Sequence, residues 1–156
     1  METKEGFRKR CKRYNLHGHA HELTFSCYKN RPLLNSKTAC RFLAEAIERA
    51  SVKHSFELWA YVFMPDHVHM LICPLKEKYS ISKILHSIKL SVTRRLVINL
   101  KTNSPLIQSM ASQRKDKKYM FWQDGGGYDR NIYSSEAVIN SVNYIHYNPV
   151  KAELVN

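Results

Sequence analysis

The order of hydrophobic patterns along the chain predicts an α+β fold of the ferredoxin-like, split βαβ type, with an antiparallel sheet, helices on one face and an additional C-terminal helix. The patterns read strand, helix, strand, strand, helix, strand, helix. All 156 residues fit one domain, and a chain of that length buries roughly two-thirds of its surface on folding. The sequence shows no internal repeat and no second domain.

The chain begins with a basic segment, followed by a first strand and helix. Residues 1–17 are polar and cationic and predict an N-terminal arm, and residues 18–156 predict the single domain. A mixture of β-formers and polar residues predicts a strand over about residues 19–28. Ser36 suits the N-cap of a helix that continues to about residue 54. Helical spacing predicts its buried side as Ala39, Phe42, Leu43, Ala46, Ile47 and Ala50.

Two apolar runs separated by a tight turn predict a β-hairpin. Residues 56–63 and 68–73 are rich in aromatic and aliphatic side chains. The residues between them, Met64-Pro65-Asp66, have turn chemistry.

A second helix is predicted to begin at Ser80 or Ser82 and to end near residue 98. Its apolar positions are Ile81, Ile84, Leu85, Ile88, Val92 and Leu96. Its opposite face carries the basic side chains Lys83, Lys89, Arg94 and Arg95.

The rest of the chain predicts a loop, a strand and a last helix. Residues 99–120 are polar and predict a long loop, with a short extended segment over residues 119–123. A strand is predicted over residues 128–133. The last helix is predicted to begin at residue 134 or 135 and to end near residue 147, because Pro149 disfavours helical backbone before it.

The charge balance favours a polyanionic partner. Lysine and arginine total 25 against 13 acidic residues, giving a net charge of +12 and a pI near 9.7. Phosphates neutralised by such a protein release condensed counterions, which favours binding to nucleic acid. The sequence contains neither a bilayer-spanning apolar run nor a secretory signal. Its four cysteines form no CxxC pair. We therefore expect a cytoplasmic, nucleoid-associated protein with reduced thiols.

The clearest chemical motif is His67-Val68-His69 at the start of a predicted strand. Side chains alternate across a strand, so both imidazoles lie on one face and Val68 on the other. Two imidazoles at this spacing can converge on one divalent cation. The alternative is that they are two polar side chains on an open sheet face.

A second constellation lies on the last helix. Tyr144 and Asn148 are four residues apart and therefore share one helical face. The buried stripe of the same helix is predicted at Val138, Val142 and Ile145. Tyr144 is thus outside the buried stripe, although a tyrosine in such a helix commonly covers a sheet.

Three segments in this order resemble the hallmark segments of REP-associated tyrosine transposases, which are relatives of the single-tyrosine insertion-sequence transposases in the His-hydrophobic-His (HUH) superfamily. They are MPDHVHML at 64–71, FWQDGGGYDRNI at 121–132 and NYIHYNPVKAELV at 143–155. The resemblance covers about residues 15–155. The triple glycine departs from the family's usual, less flexible turn.

The resemblance implies a residue-by-residue assignment. His67 and His69 would bind a divalent metal, Mg²⁺ or Mn²⁺, Tyr144 would be the nucleophile and Asn148 a further metal ligand. The last helix would then be the catalytic helix. The implied reaction cleaves and rejoins hairpin-flanked single-stranded DNA through a covalent 5′-phosphotyrosine. A phenol needs such assistance, because its ordinary pKa of about 10 makes it a poor nucleophile at neutral pH.

Binding single-stranded DNA requires cationic grooves and aromatic platforms. The residues that could stack on bases are Trp122, Tyr128 and Tyr133, although Trp122 could instead pack in the core. Arg130 could bind DNA, or it could form a local ion pair with Asp129. The histidines of HGHAH at residues 17–21 suggest either another metal site or unpaired surface side chains. The predicted DNA-binding residues are Arg8, Lys9, Arg10, Lys12, Arg13, Lys89, Arg94, Arg95, Arg114, Lys115, Lys117, Lys118, Tyr128 and Arg130.

Two other functions fit the same residues. The chain could bind structured DNA without cutting it, or it could be a metal-dependent DNA hydrolase in which water attacks instead of Tyr144. A homodimer is a further alternative, in which Tyr144 would serve the histidines of the partner. Neither the DNA-binding function nor the hydrolase would produce a covalent protein–DNA adduct, whereas attack by Tyr144 would.

Overall fold

The computed structural model describes residues 12–155, so the predicted DNA-binding residues Arg8, Lys9 and Arg10 lie outside the described part of the chain. The strands are β1 (Ala20–Ser26), β2 (Phe56–Phe63), β3 (His67–Pro74) and β4 (Tyr128–Ile132), and the helices are α1 (Lys37–His54), α2 (Ile81–Asn99), α3 (Pro105–Ser109) and α4 (Ser135–Lys151). Two single 3₁₀ turns, Tyr28–Asn30 and Leu33–Asn35, connect β1 to α1.

The four strands form one antiparallel sheet in the order β2-β3-β1-β4. This order and the element sequence confirm the predicted split βαβ fold. None of the helices within residues 12–155 is long and apolar enough to cross a bilayer.

Serine hydroxyls cap the three long helices at their N-termini. The side chains of Ser36, Ser80 and Ser134 accept hydrogen bonds from the backbone amides three residues later. Each cap satisfies an amide that has no partner within its helix. These contacts confirm the predicted starts of α1, α2 and α4.

The sheet has two differently packed faces. Helices α1 and α2 cover one face, burying side chains such as Phe25, Val68 and Met70 in the main core. Helix α4 crosses the other face and places Ile145 on a smaller apolar cluster of Ala20, Ala60, Leu71 and Ile132. We call the second face the α4 face.

The structure corrects two predicted boundaries. The predicted loop of residues 99–120 contains α3, which Ser104 caps and Pro105 begins, and which buries Ile107. The last helix does not end before Pro149 but continues to Lys151. Proline lacks an amide hydrogen, so the helix continues without a bond from Pro149 to the carbonyl of Ile145.

A candidate metal and tyrosine site on the α4 face

Strand β3 places both histidines on the α4 face. Because the side chains alternate, Val68 is fully buried in the core on the other face, as predicted. The Nε2 atoms of His67 and His69 lie 3.0 Å apart, and their rings are nearly perpendicular. The two imidazoles therefore converge on one point above the sheet.

Neighbouring oxygen atoms orient the two rings. His67 Nδ1 lies 2.7 Å from a carboxylate oxygen of Asp66, and His69 Nδ1 lies 2.7 Å from the hydroxyl of Thr24. A carboxylate only accepts, so Nδ1 of His67 donates and its Nε2 presents a lone pair. The hydroxyl of Thr24 can accept from Nδ1 of His69, and in that tautomer both Nε2 lone pairs face each other.

The surroundings of His69 keep its imidazole neutral. Burial lowers the pKa of His69 below its ordinary value, and nearby His67 lowers it further, while Glu22 acts in the opposite direction. A neutral imidazole is the form that ligates a cation. The electrostatics thus suit a ligand rather than a proton carrier.

The arrangement of donors fits a divalent ion held by two imidazoles. In octahedral coordination, two neighbouring ligands about 2.1 Å from the ion form a right angle and lie about 3.0 Å apart. Oxygen partners on the far ring nitrogens, here Asp66 and Thr24, are typical of metal-binding histidines. Within residues 12–155 no cluster of three His, Cys, Asp or Glu side chains could hold a metal, so further ligands would be amide, water or substrate oxygens.

Helix α4 brings Tyr144 to the histidines. Ile145 is fully buried in the small cluster below the helix, and the buried hydroxyl of Ser141 donates to Glu22 on β1. With the helix docked in this way, the ring of Tyr144 meets the ring of His69 edge-on, with centroids 5.5 Å apart. Tyr144 is about half exposed and open to a substrate.

The remaining α4 positions differ in their surroundings. Asn148 is partly buried one turn beyond Tyr144, and its backbone carbonyl accepts a hydrogen bond from Ala152. Val138 and Val142 pack partly buried against the small cluster, whereas Ser141 is the fully buried polar residue of the helix. The predicted apolar stripe is therefore completed by a serine.

Several predicted DNA-binding residues are held by internal partners. Arg13 forms an ion pair with Asp129 at 3.1 Å, with its side chain largely buried. Arg95 pairs with Glu45. The other cations with carboxylate partners are Arg114, which bonds Asp116 and Asp124, Lys117, which bonds Asp124, and Arg130, which bonds Glu22. The predicted local pair Asp129-Arg130 is wrong, because the two side chains lie on opposite faces of β4.

Other predicted side chains lie at the surface. Tyr128 and Tyr133 are exposed, whereas Trp122 is buried in the core, as its alternative predicted. The exposed basic side chains include Lys12, Arg94, Lys115 and Lys118. Lys89 is only partly exposed.

The histidines of HGHAH do not form a group of unpaired surface side chains. His21 is fully buried, with its Nδ1 2.7 Å from Asp129 and its Nε2 2.7 Å from the hydroxyl of Tyr79. His19 contacts the Asn131 side chain. His21 therefore links β1 to Asp129 of β4 and to Tyr79, which precedes α2.

Sequence reasoning missed the residues that support the site. Thr24 lies opposite His69 because of the register between β1 and β3. Glu22 lies under α4, where it contacts Ser141 and Arg130. Only Asp66, adjacent to His67, has a local signal in the sequence.

Comparison with known proteins gives a family and a shared fold. A family model described as "Transposase IS200 like" matches residues 13–148. No curated protein sequence matches significantly. The chain is similar to the structure of a REP-associated tyrosine transposase bound to a REP hairpin, with a TM-score of 0.71 and 23% identity over 95% of this chain and 76% of that chain. It is also similar to a structure assigned as a transposase of Deinococcus radiodurans R1, with a TM-score of 0.53 and 16% identity over 88% of this chain and 96% of that chain.

Proposed function

The chain belongs to the IS200-like transposase family, and from this membership we propose that it cleaves and rejoins hairpin-flanked single-stranded DNA by attack of Tyr144. The observation that carries the proposal is the contact of the Tyr144 ring with His69, whose Nε2 lies 3.0 Å from that of His67. A tyrosine that could act as nucleophile and two histidines that could bind a metal thus lie together within one chain.

The proposed reaction is a pair of transesterifications at phosphorus. The Oη of Tyr144 loses its proton and forms a bond to the scissile phosphorus, while the bond from phosphorus to the 3′ oxygen breaks and that oxygen is protonated. The products are a 5′-phosphotyrosine and a free 3′-hydroxyl. A 3′-hydroxyl of another strand then attacks the phosphotyrosine and releases Tyr144, so no ATP is needed.

His67 and His69 would hold the metal, with Asn148 as a candidate further ligand from α4. A divalent ion, Mg²⁺ or Mn²⁺, would polarise the scissile phosphate and offset the charge that develops on its oxygens. Asp66 and Thr24 contact the Nδ1 atoms and so leave both Nε2 atoms free to bind the metal. Docking of α4 through Ser141 positions the phenol.

Structured DNA is the proposed partner. The similar REP-associated transposase was solved with a REP hairpin, and this chain carries a net charge of +12. An excess of cations of this size favours DNA through release of counterions.

Trapping of the covalent intermediate tests the proposal. Hairpin DNA labelled at its 3′ end is incubated with protein and Mg²⁺ or Mn²⁺ and run on a denaturing protein gel, because the segment joined to tyrosine retains the 3′ end. We expect a shifted, labelled band for the wild type. The band should be absent in Tyr144→Phe and His67→Ala, and it should persist in Tyr147→Phe, a control at an exposed tyrosine of the same helix.

The same gel separates the two other functions. Cleavage that survives Tyr144→Phe without an adduct would identify a hydrolase. Hairpin binding with neither cleavage nor adduct would identify a DNA-binding protein without catalysis.

A further inference from the structure

A cleft of about 520 Å³ lies on the sheet face opposite the histidines. Its walls are α2 and the segment of residues 117–126, and we call it the α2 cleft. Side chains from α2 that line it include Leu85, Lys89 and Leu90. Pockets of this size hold small ligands when apolar walls surround a few polar groups.

Lys89 is the unusual group of the α2 cleft. Its ammonium lies 5.2 Å from the centre of the Phe25 ring and donates to the carbonyl of Gly125 at 3.2 Å. No carboxylate within residues 12–155 forms an ion pair with it. Burial and nearby Arg13 lower the pKa of Lys89 to about 8, with Asp124 acting in the opposite direction. A largely buried cation that forms no ion pair with a described carboxylate is costly, and it indicates an anionic ligand.

The other charged groups of the cleft are already paired. Arg13 forms an ion pair with Asp129 and donates hydrogen bonds to the Ser82 hydroxyl and the Gly126 carbonyl. Asp124 is bonded by Arg114 and Lys117. The ammonium of Lys89 therefore remains the cationic donor for an added phosphate.

The wall beside Lys89 is apolar and aromatic. Leu90 and Tyr119 are partly exposed there, and the buried Phe121 and Trp122 also line the cleft. A nucleobase is flat and can stack on such side chains, and stacking tolerates any base. The combination of one cation and an aromatic wall fits a nucleotide better than an inorganic anion.

The α2 cleft is linked to the candidate site through β1. Thr24 contacts His69 on one face of the strand, and the next residue, Phe25, lies under Lys89 on the other. Gly125 and Gly126 line the cleft, while Gly127 packs so closely on Thr24 that a Cβ would collide with its carbonyl oxygen. The exposed Tyr128 then pairs with Thr24 in β4. The glycine loop, residues 125–127, therefore leads from the cleft to the edge strand β4.

We propose that the α2 cleft binds an unpaired nucleotide of the strand that the α4-face site cleaves, with its phosphate on Lys89 and its base against Leu90 and Tyr119. This inference rests on the proposed function, because it takes single-stranded DNA as the substrate. The strand would reach the histidines along the glycine loop. The cleft would thereby fix how the unpaired flank enters the site.

Binding of hairpins with and without an unpaired flank tests the inference. Fluorescence anisotropy compares a blunt hairpin with hairpins that carry a short extension on the 5′ or the 3′ side, in the Tyr144→Phe background to prevent cleavage. We expect one extension to tighten binding about tenfold, as stacking of a base would. Lys89→Met should remove this gain and change the affinity for the blunt hairpin less than twofold. Lys37→Met, at an exposed lysine of α1, is the matched control.

Two further arms make the result decisive. Thr93→Phe narrows the cleft and leaves Lys89 in place. This variant should also abolish the tighter binding of the extended hairpin, so the conclusion does not depend on correct folding of Lys89→Met. An extension without bases should not increase the affinity for the hairpin. If it increased the affinity as much as a normal extension does, the cleft would bind only phosphate, and the nucleotide assignment would be overturned. A gain that persists in both variants would overturn the inference.

The adduct gel distinguishes the two proposals. If wild-type protein forms the adduct and the increase in hairpin affinity from the extension does not depend on Lys89, the cleft inference fails and the proposed function stands. If the gain depends on Lys89 and no adduct forms, the cleft binds a nucleotide and the proposed function fails.

Discussion

The hydroxyl of Thr24 orients His69 across a strand boundary. It lies 2.7 Å from Nδ1 of His69, and its position follows from the register of β1 against β3. With Nδ1 held in this way, the lone pair of Nε2 is directed to the same point as that of His67. Loss of such a partner of a metal-binding histidine typically lowers metal affinity about 10–100-fold.

Thr24→Val should therefore weaken cation binding without unfolding the protein. Valine has nearly the same shape but cannot accept from the imidazole, so we expect affinity for Mn²⁺ to fall about 10–100-fold. Isothermal titration calorimetry with Mn²⁺ measures the change. Thr93→Val, which removes a threonine hydroxyl from α2, is the control and should bind as the wild type does. An unchanged affinity in Thr24→Val would exclude the orienting role.

Lys89 gives the stability of the protein a specific pH dependence. Its pKa is lowered from 10.5 to about 8 in the folded chain. Between these values the unfolded chain binds the proton more tightly, so the cost of the buried ammonium is complete below about pH 8 and disappears as the pH rises through 10.5.

Lys89→Met should accordingly stabilise the protein at neutral pH. The expected gain in unfolding free energy is on the order of 2–3 kcal/mol near pH 7, and it should shrink toward zero by about pH 10.5. Urea unfolding of variant and wild type across this range measures the difference. A gain that does not change with pH would contradict the assigned pKa, and Lys37→Met should show no such trend.

The position of Tyr144 depends on how α4 packs on the sheet. The helix contributes Ile145 to a small cluster of five buried apolar residues within residues 12–155, and it also makes polar contacts with the sheet. The hydrogen bond that Ser141 donates to Glu22 is buried between α4 and the sheet. Glu22 also accepts from Arg130 at 3.0 Å.

Ser141→Ala should loosen α4 and slow the formation of the adduct. Removing a buried donor to a carboxylate costs about 1.5–3 kcal/mol, so we expect a loss of that size in unfolding free energy. The rate of adduct formation should fall while hairpin affinity changes little, because the change moves the phenol rather than the DNA surface. Asn140→Ala, at an exposed position of α4, should leave both quantities unchanged. Loss of stability with a normal rate would show that docking does not position Tyr144.

Local chemistry explains which elements were predictable. The period of two in β3 places His67 and His69 on one face, and serine caps mark three helix starts. The contact of Thr24 with His69 depends on pairing between strands about 45 residues apart, which no local pattern encodes. The helix through Pro149 was missed because packing of the preceding turns outweighs the local preference of proline.

At the scale of the molecule, internal pairing reduces the positive charge available for DNA. Five of the predicted DNA-binding cations are held by carboxylates within the described chain: Arg13, Arg95, Arg114, Lys117 and Arg130. Composition predicts the excess of charge, but only the fold determines which cations remain for phosphates. Exposed Arg94, Lys115 and Lys118 are the stronger candidates for DNA contact.

Because Tyr144 already contacts His69 within one chain, we expect each chain to act alone. A mixture of Tyr144→Phe and His67→Ala proteins should then form no adduct, since neither chain has a complete site. If dimers exchanged α4 between subunits, half of the mixed dimers would be heterodimers with one intact site, and about a quarter of wild-type adduct would return. The denaturing gel measures this fraction after the two proteins are mixed and equilibrated, with the wild type diluted to a quarter as the reference. Recovery near that reference would show that the tyrosine serves a partner, whereas a blank lane would show that one chain supplies the nucleophile and both histidines.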